Sequence, residues 1–202
     1  MQETTQRVIK AEAAAILSIP ETNDFSRAID VIFTQVHQRK AKVITSGIGK
    51  AGQVAHNLAS TLSSTGTPAV FMHPSEAQHG DLGLVHPEDC YILISNSGRT
   101  RELLELVALT RSLYGHALPL LVITGSAQSP LAQAADVLLH TGGPKEVCPL
   151  ELTPTTSITA MQVIGHILTV LLIDKTGFTR DEFLKRHHGG YLGSKLKQDR
   201  GD

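Results

Sequence analysis

The stretch KVITSGIGKAGQVAHNLASTLSSTGTPAVFM, residues 42–72, decides the fold that the sequence predicts. A β-rich run at 42–45 leads into a glycine-rich turn, a helical pattern follows at 51–63, and a second β-rich run occupies 69–72. Both runs are continuously apolar, which is typical of strands buried on both faces of a parallel sheet. A strand, a helix and another parallel strand form a βαβ unit with a right-handed crossover.

The same alternation continues along the chain. The remaining β-rich runs lie at 91–94, 120–124 and 137–140, and helical patterns lie at 102–113, 131–135 and 157–175. Two helices precede the first run: the first ends before Pro20, the second has Asp24 as its N-cap, and Gly177 ends the long helix. We predict an α/β fold, a three-layer, doubly wound five-stranded parallel sheet with two N-terminal helices.

Length and composition favour one globular domain. The 202 residues are 41% apolar and 18% charged, a balance typical of folded chains. We expect residues 1–40 to hold the N-terminal helices, 41–178 the α/β core, and 179–202 a short helix followed by a glycine-rich tail.

Charge and cysteine content exclude several classes of protein. The net charge is −1 and no basic stripe is visible, so we expect no nucleic-acid binding. Cys90 and Cys148 lie far apart, which argues against a secreted disulfide framework and favours the cytoplasm. The first 20 residues do not have the pattern of a signal peptide, and we expect no membrane span.

The turn after the first strand suits an anion. Glycines allow backbone N–H groups to approach a ligand at a helix start, and Lys50 adds a cation. Gly47, Gly49 and Gly52 also complete the spacing of a dinucleotide site. The acidic ribose-binding residue expected about 20 residues further on is absent, because the second strand ends in Met72-His73-Pro74. A dinucleotide-dependent dehydrogenase is therefore a weaker alternative.

The turn after the third strand, Ser95-Asn96-Ser97-Gly98-Arg99-Thr100, has two interpretations. Three hydroxyls around a glycine at a helix start would form a phosphate cradle. The same residues would also serve as an ordinary helix start, with Thr100 as the cap. The spacing alone does not separate the two.

Other polar residues follow strands without a decisive pattern. Two histidines and two carboxylates fall within 73–81, which suits acid–base work, metal binding or a solvated loop. Glu146 stands in a loop after the last strand. His187 and His188 precede the glycine-rich tail and are equally consistent with surface residues.

Several motifs together resemble the arabinose-5-phosphate isomerases, SIS-domain enzymes that interconvert ribulose 5-phosphate and arabinose 5-phosphate. The segments that carry the resemblance span nearly the whole chain: 47–52, 64–68, 73–81, 95–98, 154–157 and His187-x-Gly189-Gly190-x-Leu192-Gly193. The family commonly adds a pair of cystathionine-β-synthase-type domains, so this chain resembles a short form. Its product would supply 3-deoxy-manno-octulosonate for lipopolysaccharide.

The resemblance implies roles for particular residues. Matched positions place the family's catalytic residues at Lys50, Arg99, Glu146 and His187 and a substrate-binding histidine at His79. Because Arg99 departs from the family, the catalytic candidates are Lys50, His79, Glu146 and His187, with the tail contributing to the site. The substrate-binding set is Ser46, Gly47, Gly66, Thr67, His73, Ser95, Asn96, Ser97, Arg99, Thr100, Ser157 and His188. His73 also matches an inhibitory zinc site. The family usually has Glu where this chain has Arg99, which cannot act as a base at neutral pH.

The implied reaction passes through an enediol and requires no cofactor. We expect Ser95, Ser97 and Thr100 to hold the phosphate with the loop at Ser157, Lys50 to stabilise the carbonyl oxygen, and Glu146 to be the first candidate for the base. The family forms homo-oligomers, usually tetramers, whose sites are completed by a neighbouring subunit. A non-catalytic sugar-phosphate or nucleotide-sugar sensor and another SIS isomerase remain alternatives.

Overall fold

A five-stranded, all-parallel sheet forms the centre of the protein. The computed structural model describes residues 1–187. The strands have the spatial order β2-β1-β3-β4-β5. They are β1 (Val43–Ser46), β2 (Ala69–Phe71), β3 (Cys90–Ile94), β4 (Leu120–Thr124) and β5 (Val137–His140). The predicted fold class is confirmed.

Helices cover both faces of the sheet and make three layers. They are α1 (Gln2–Leu17), α2 (Phe25–Ile32), α3 (Gly49–Ser64), α4 (Arg101–Tyr114), α5 (Pro130–Ala134), α6 (Thr156–Thr176) and α7 (Arg180–Leu184). One apolar core joins α2, α3 and α6 to the sheet, and a second joins α4 and α5 to its other face. α1 packs outside on α6.

Burial explains why the strands were recognisable. Every residue of β1, β3 and β4 is buried, so each strand must be compatible with apolar neighbours on both faces. The edge strands β2 and β5 are less buried. Their apolar runs therefore reflect packing against the helices on one face of the sheet more than burial on both faces.

Two helix ends are formed by the residues that the sequence predicts. The Asp24 carboxylate accepts a hydrogen bond from the Arg27 backbone N–H at 2.9 Å, and so caps α2. Gly177 ends α6 in the left-handed conformation, with φ of 63°. A π-helical segment, Phe33–Gln38, and two 3₁₀ turns, Glu76–His79 and Asp81–Leu84, were not predicted.

The glycine-rich turn after β1 has a packing reason. A Cβ atom added to Gly52 would lie 2.6 Å from the carbonyl oxygen of Gly47, so the first turn of α3 rests directly on the turn that precedes it. Gly49 has φ of 60°, a conformation that favours glycine. The spacing that resembles a dinucleotide motif therefore serves close backbone packing here.

α6 differs from the expectation of no membrane-length segment. Its 21 residues, with mean hydropathy 1.8, meet the length and composition of a span. A core helix meets the same criteria, and half of this one is buried in the fold. α6 packs on α1, α2 and α3. The apolar sequence is therefore accounted for, in part, by contacts within the protein.

We predict that Gly52→Ala destabilises the protein by about 1–3 kcal/mol, because the new methyl group meets backbone that cannot move aside easily. Urea unfolding followed by circular dichroism measures this change. Gly83→Ala is the matched control, since a Cβ atom there meets no atom within 4 Å. Equal stability of the two variants would contradict the packing role of Gly52.

Candidate functional site

A cavity of about 400 Å³ opens at the carboxyl ends of β1 and β3. The chain leaves β1 for a helix on one face of the sheet and leaves β3 for a helix on the other face. Open α/β sheets bind ligands in the crevice that this reversal creates. The polar residues that line the cavity are Lys50, Ser95, Asn96, Ser97, Thr100, Glu146, Glu151 and Ser157.

Three helices begin at this cavity. Residues at the first turns of α3, α4 and α6 line its wall. A helix N-terminus carries unpaired N–H groups and a partial positive charge. The side chains of Ile48 and Thr100, the N-cap residues of α3 and α4, accept no hydrogen bond from the N–H groups of their helices. Two of the three positive ends are therefore open to an anion.

The turn after β3 has the form of a cradle. The hydroxyls of Ser95 and Thr100 lie 2.8 Å apart in a hydrogen bond, and the Ser95 hydroxyl also accepts from the Gly98 backbone N–H. The Ser97 hydroxyl accepts from the Arg99 N–H at 3.2 Å. Thr100 is the N-cap residue of α4, as the helix-start interpretation expects, but its hydroxyl bonds to Ser95 and makes no cap hydrogen bond to the helix. The hydroxyls are held together at the open end of the helix.

Glu146 caps α6. One oxygen of its carboxylate, Oε2, accepts hydrogen bonds from the Thr155 backbone N–H at 2.7 Å, the Thr155 hydroxyl at 2.8 Å and the Thr156 hydroxyl at 3.2 Å. The Ser157 backbone N–H lies 3.5 Å from the same oxygen. A carboxylate from the loop after β5 thus occupies the positive end of α6 and holds that loop against the helix.

The surroundings of Glu146 set its protonation. Burial acts to raise the pKa of its carboxyl, but donors from Ser157 and Thr155 outweigh burial and the net pKa is lowered. The Ser157 hydroxyl acts on this charge, yet its oxygen has no hydrogen-bond partner of acceptable geometry among residues 1–187. A lowered pKa keeps the carboxylate ionised and makes it a weaker base, which disfavours Glu146 as the proton acceptor.

Lys50 supplies the cation of the site. It lies at the start of α3, its side chain is exposed, and it lines the cavity. Within the part of the chain that the structure describes, its ammonium group has no hydrogen bond or ion pair. The charge is therefore available to a ligand.

Several predicted residues lie near the cavity but do not line it. The buried Ser46 hydroxyl donates to the Met72 carbonyl oxygen at 2.6 Å, which ties β1 to the end of β2 and commits the hydroxyl to the sheet. Gly47 is packed against α3. Arg99, His73 and His79 are exposed at the same edge of the sheet, outside the cavity lining.

Three predicted residues lie at the opposite edge. Gly66 and Thr67 precede β2, and Gly66 lies against the Phe178 ring, where an added Cβ would be 2.6 Å from a ring carbon. The His187 ring stacks on Phe183 at 3.7 Å between centroids and follows α7. Strands of four or five residues separate the two edges by roughly 13–16 Å. His188 lies outside the described residues.

The residues present do not fit a protein-bound zinc ion. Residues 1–187 contain no group of three or more His, Cys, Asp or Glu side chains arranged to hold a metal. His73 packs edge-on towards Phe71 instead. A structural or catalytic zinc site needs three or four protein ligands, so no step is derived through a metal.

Part of the cavity wall was not predicted from the sequence. Glu151 and Leu152 line it from the loop that follows Glu146, next to Pro154, which belongs to the segment 154–157 that carries the resemblance. This loop has no hydrophobic period, and its position depends on the contact between Glu146 and α6. Only its place after the last strand pointed to it.

Comparison with known proteins identifies the family of the chain. The SIS domain family matches residues 35–171. The chain belongs to this family. A putative phosphosugar isomerase involved in capsule formation from Bacteroides fragilis has the same fold with a TM-score of 0.92 and 53% identity, covering 95% of this chain and 99% of that one.

Two further relatives of this SIS protein are connected with arabinose 5-phosphate. A protein of Escherichia coli CFT073 solved in complex with arabinose 5-phosphate has a TM-score of 0.80 and 35% identity, covering 89% of this chain and 93% of that one. The arabinose 5-phosphate isomerase KdsD of Escherichia coli K12 is 48% identical over 157 residues, which cover 78% of this chain and 47% of that protein. The chain spans about half the length of the curated relatives it matches.

We predict that Glu146 stabilises the fold in a pH-dependent way. The lowered pKa means that its contribution is present above the unfolded value, about 4.3, and is lost as pH falls through the folded value. At pH 7 we expect Glu146→Gln to be less stable than the wild type by about 0.5–1 kcal/mol, because the amide keeps an acceptor but loses the charge.

Urea unfolding at pH 7 and at pH values below 4 measures the effect of this substitution. The stability gap between wild type and variant should close on acidification. Glu21→Gln, at an exposed carboxylate outside the cavity, should show no gap at either pH. A gap for Glu146→Gln that stays constant with pH would contradict the capping role of the charge.

Proposed function

We propose that this SIS protein is an aldose–ketose isomerase that interconverts ribulose 5-phosphate and arabinose 5-phosphate. The observation that carries the proposal is the joining, in one cavity, of two open helix N-termini, a hydroxyl-lined turn and the free ammonium group of Lys50. This combination suits a sugar phosphate, with a dianion at one end and a carbonyl at the other. The relatives named as arabinose 5-phosphate isomerase, or solved with arabinose 5-phosphate, support the same substrate.

The phosphate is assigned to the turn after β3. Ser97 and Thr100 present hydroxyls there, and the first N–H groups of α4 have no side-chain cap. The start of α6 is a poorer seat for the phosphate, because the Glu146 carboxylate already occupies it. The sugar then extends from α4 towards Lys50, whose charge stabilises the oxyanion of the enediolate. Such stabilisation is often the largest catalytic contribution.

The proton-transfer group is the open part of the mechanism. Its candidates are Glu146, His79 and His187. Glu146 is a weakened base, and His79 does not line the cavity. His187 has the most suitable chemistry, since a neutral imidazole has one nitrogen that accepts a proton and another that donates one. It lies at the wrong edge of its own sheet, so we propose that a second copy of the chain brings its His187 edge to this cavity.

Exposed apolar side chains support such an assembly. Leu150 and Leu152 flank the cavity at 72% and 78% exposure, and Val170 on α6 is 56% exposed. Apolar side chains exposed to this extent gain free energy when another protein covers them. We therefore propose a homo-oligomer, with the tetramer as the form that the resemblance implies, in which Gly66, Thr67 and His187 of one copy complete the cavity of another.

Proton transfer between neighbouring carbons needs no cofactor, and we propose none. A cytoplasmic location and supply of lipopolysaccharide synthesis accompany the proposed reaction. Inhibition by zinc through His73 would require ligands from outside the described residues. Arg99 keeps the sugar-phosphate sensor as a second candidate, because it strengthens anion binding at the β3 turn without adding a base.

We predict that the purified protein converts ribulose 5-phosphate into arabinose 5-phosphate, and that Lys50→Met lowers kcat/KM about 10²–10³-fold. A coupled assay across pentose and hexose phosphates, with and without chelator, measures this. Lys10→Met, at an exposed lysine of α1 outside the cavity lining, serves as the matched control and should keep its rate. Binding of ribulose 5-phosphate without turnover would favour the sensor.

We predict that two inactive variants restore activity when they are assembled together. Lys50→Met lacks the ammonium group and His187→Ala lacks the imidazole. If each site takes these groups from different copies, mixed oligomers contain some intact sites. Activity should return after the two variants are unfolded and refolded as a mixture, but not when each is refolded alone. A mixture that stays inactive while forming mixed oligomers would contradict the shared site.

A further inference from the structure

Glu151 has an unusual backbone conformation. Its φ is 53°, and among residues 1–187 only one other residue that is not glycine, Lys40, has a positive φ. A side chain with a Cβ atom is strained in this region. Strained positions of this kind cluster at functional sites, where the surrounding structure holds them.

Hydrogen bonds within the surrounding loop hold Glu151 in this strained conformation. The Glu151 backbone N–H donates to the Cys148 carbonyl oxygen at 2.9 Å, and the Thr153 N–H donates to the Cys148 sulfur at 3.2 Å. The turn therefore closes around Cys148. One end of the loop is fixed by Glu146 on α6, and Arg7 of α1 donates to the Val147 carbonyl oxygen at 2.9 Å.

Glu151 also differs from the other carboxylate of the cavity. Glu146 is engaged with donors at the start of α6, whereas the Glu151 side chain has no hydrogen-bond or ion-pair partner in residues 1–187. It is exposed between Leu150 and Leu152, at the rim of the cavity. A free negative charge thus stands beside the features that attract anions, which are Lys50 and the open N-termini of α3 and α4.

We propose that Glu151 is a specificity-determining residue that restricts the cavity to sugars with one phosphate and an uncharged polyhydroxyl chain. Its carboxylate accepts hydrogen bonds from hydroxyl groups and repels a second anionic group. Phosphorylated sugar acids and sugar bisphosphates would therefore be disfavoured. This inference rests on the proposed sugar-phosphate site and adds a rule for which sugar phosphates enter it.

The expected change in affinity is estimated from the Coulomb repulsion between two like charges. Two like charges about 4 Å apart in water repel by an amount equivalent to roughly a five-fold change in affinity. The open α3 and α4 termini and Lys50 attract every anion, so without Glu151 a second anionic group would gain affinity. The carboxylate at the rim removes that gain.

Calorimetric titration of the full chain tests this. The probes are ribulose 5-phosphate, ribulose 1,5-bisphosphate and 5-phosphoribonate at low ionic strength. We expect Glu151→Gln to improve binding of the two probes that carry a second anionic group, relative to ribulose 5-phosphate, by about five-fold. The change should shrink in 1 M salt. An unchanged ratio of affinities in Glu151→Gln overturns the proposal.

Two controls separate charge from structure. Glu76→Gln removes an exposed carboxylate outside the cavity, at the same edge of the sheet, and should leave the ratio unchanged. Glu151→Gly removes the charge and relieves the positive φ, so it should shift the ratio as Glu151→Gln does without lowering Tm. A lowered Tm with an unchanged ratio would make Glu151 structural only, against the proposal.

Turnover is measured separately, so that failure of the isomerase proposal can be distinguished from failure of the proposed role of Glu151. A wild type that discriminates between the probes as expected but produces no arabinose 5-phosphate removes the isomerase and supports the role of Glu151. A wild type that isomerises ribulose 5-phosphate, with Glu151→Gln showing no change in ratio, supports the isomerase and removes the role of Glu151.

Discussion

The convergence of helix N-termini at one crevice is the constraint on which the site depends. A parallel sheet with helices on both faces must bring several positive helix ends to the carboxyl ends of its strands. In this protein the Glu146 carboxylate neutralises the positive end of α6, and the positive ends of α3 and α4 are left open. The internal anion fixes the loop that forms one wall, and the open ends leave room for an external anion.

The sequence predicts the fold well because its signals are local. Continuous apolar runs identify the buried strands, Asp24 and Gly177 mark helix ends, and the hydroxyl-rich turn after β3 lies in the cavity as expected. The role of Glu146 was not predictable in the same way. Its cap on α6 joins residues nine to eleven positions apart through an irregular loop, and no period or spacing reports such a contact.

The sequence also did not predict at which edge of the sheet each motif lies. Gly66, Thr67 and His187 belong to motifs that the resemblance joins to one site, but the direction of the strands puts them at the edge away from Lys50 and Ser95. A motif records which residues work together and does not record whether they belong to the same copy of the chain. The conformation of Glu151 had no sequence signal either, because a positive φ outside glycine is set by the surrounding turn.

The long helix α6 joins these two edges mechanically. It has 21 residues, so it is a rod of about 31 Å. The Glu146 carboxylate accepts hydrogen bonds at its start, and Phe178, just beyond its last turn, lies against Gly66. The loop that carries Glu146 and the turn that carries Gly66 therefore contact opposite ends of one helix, and the length of that helix sets the distance between them.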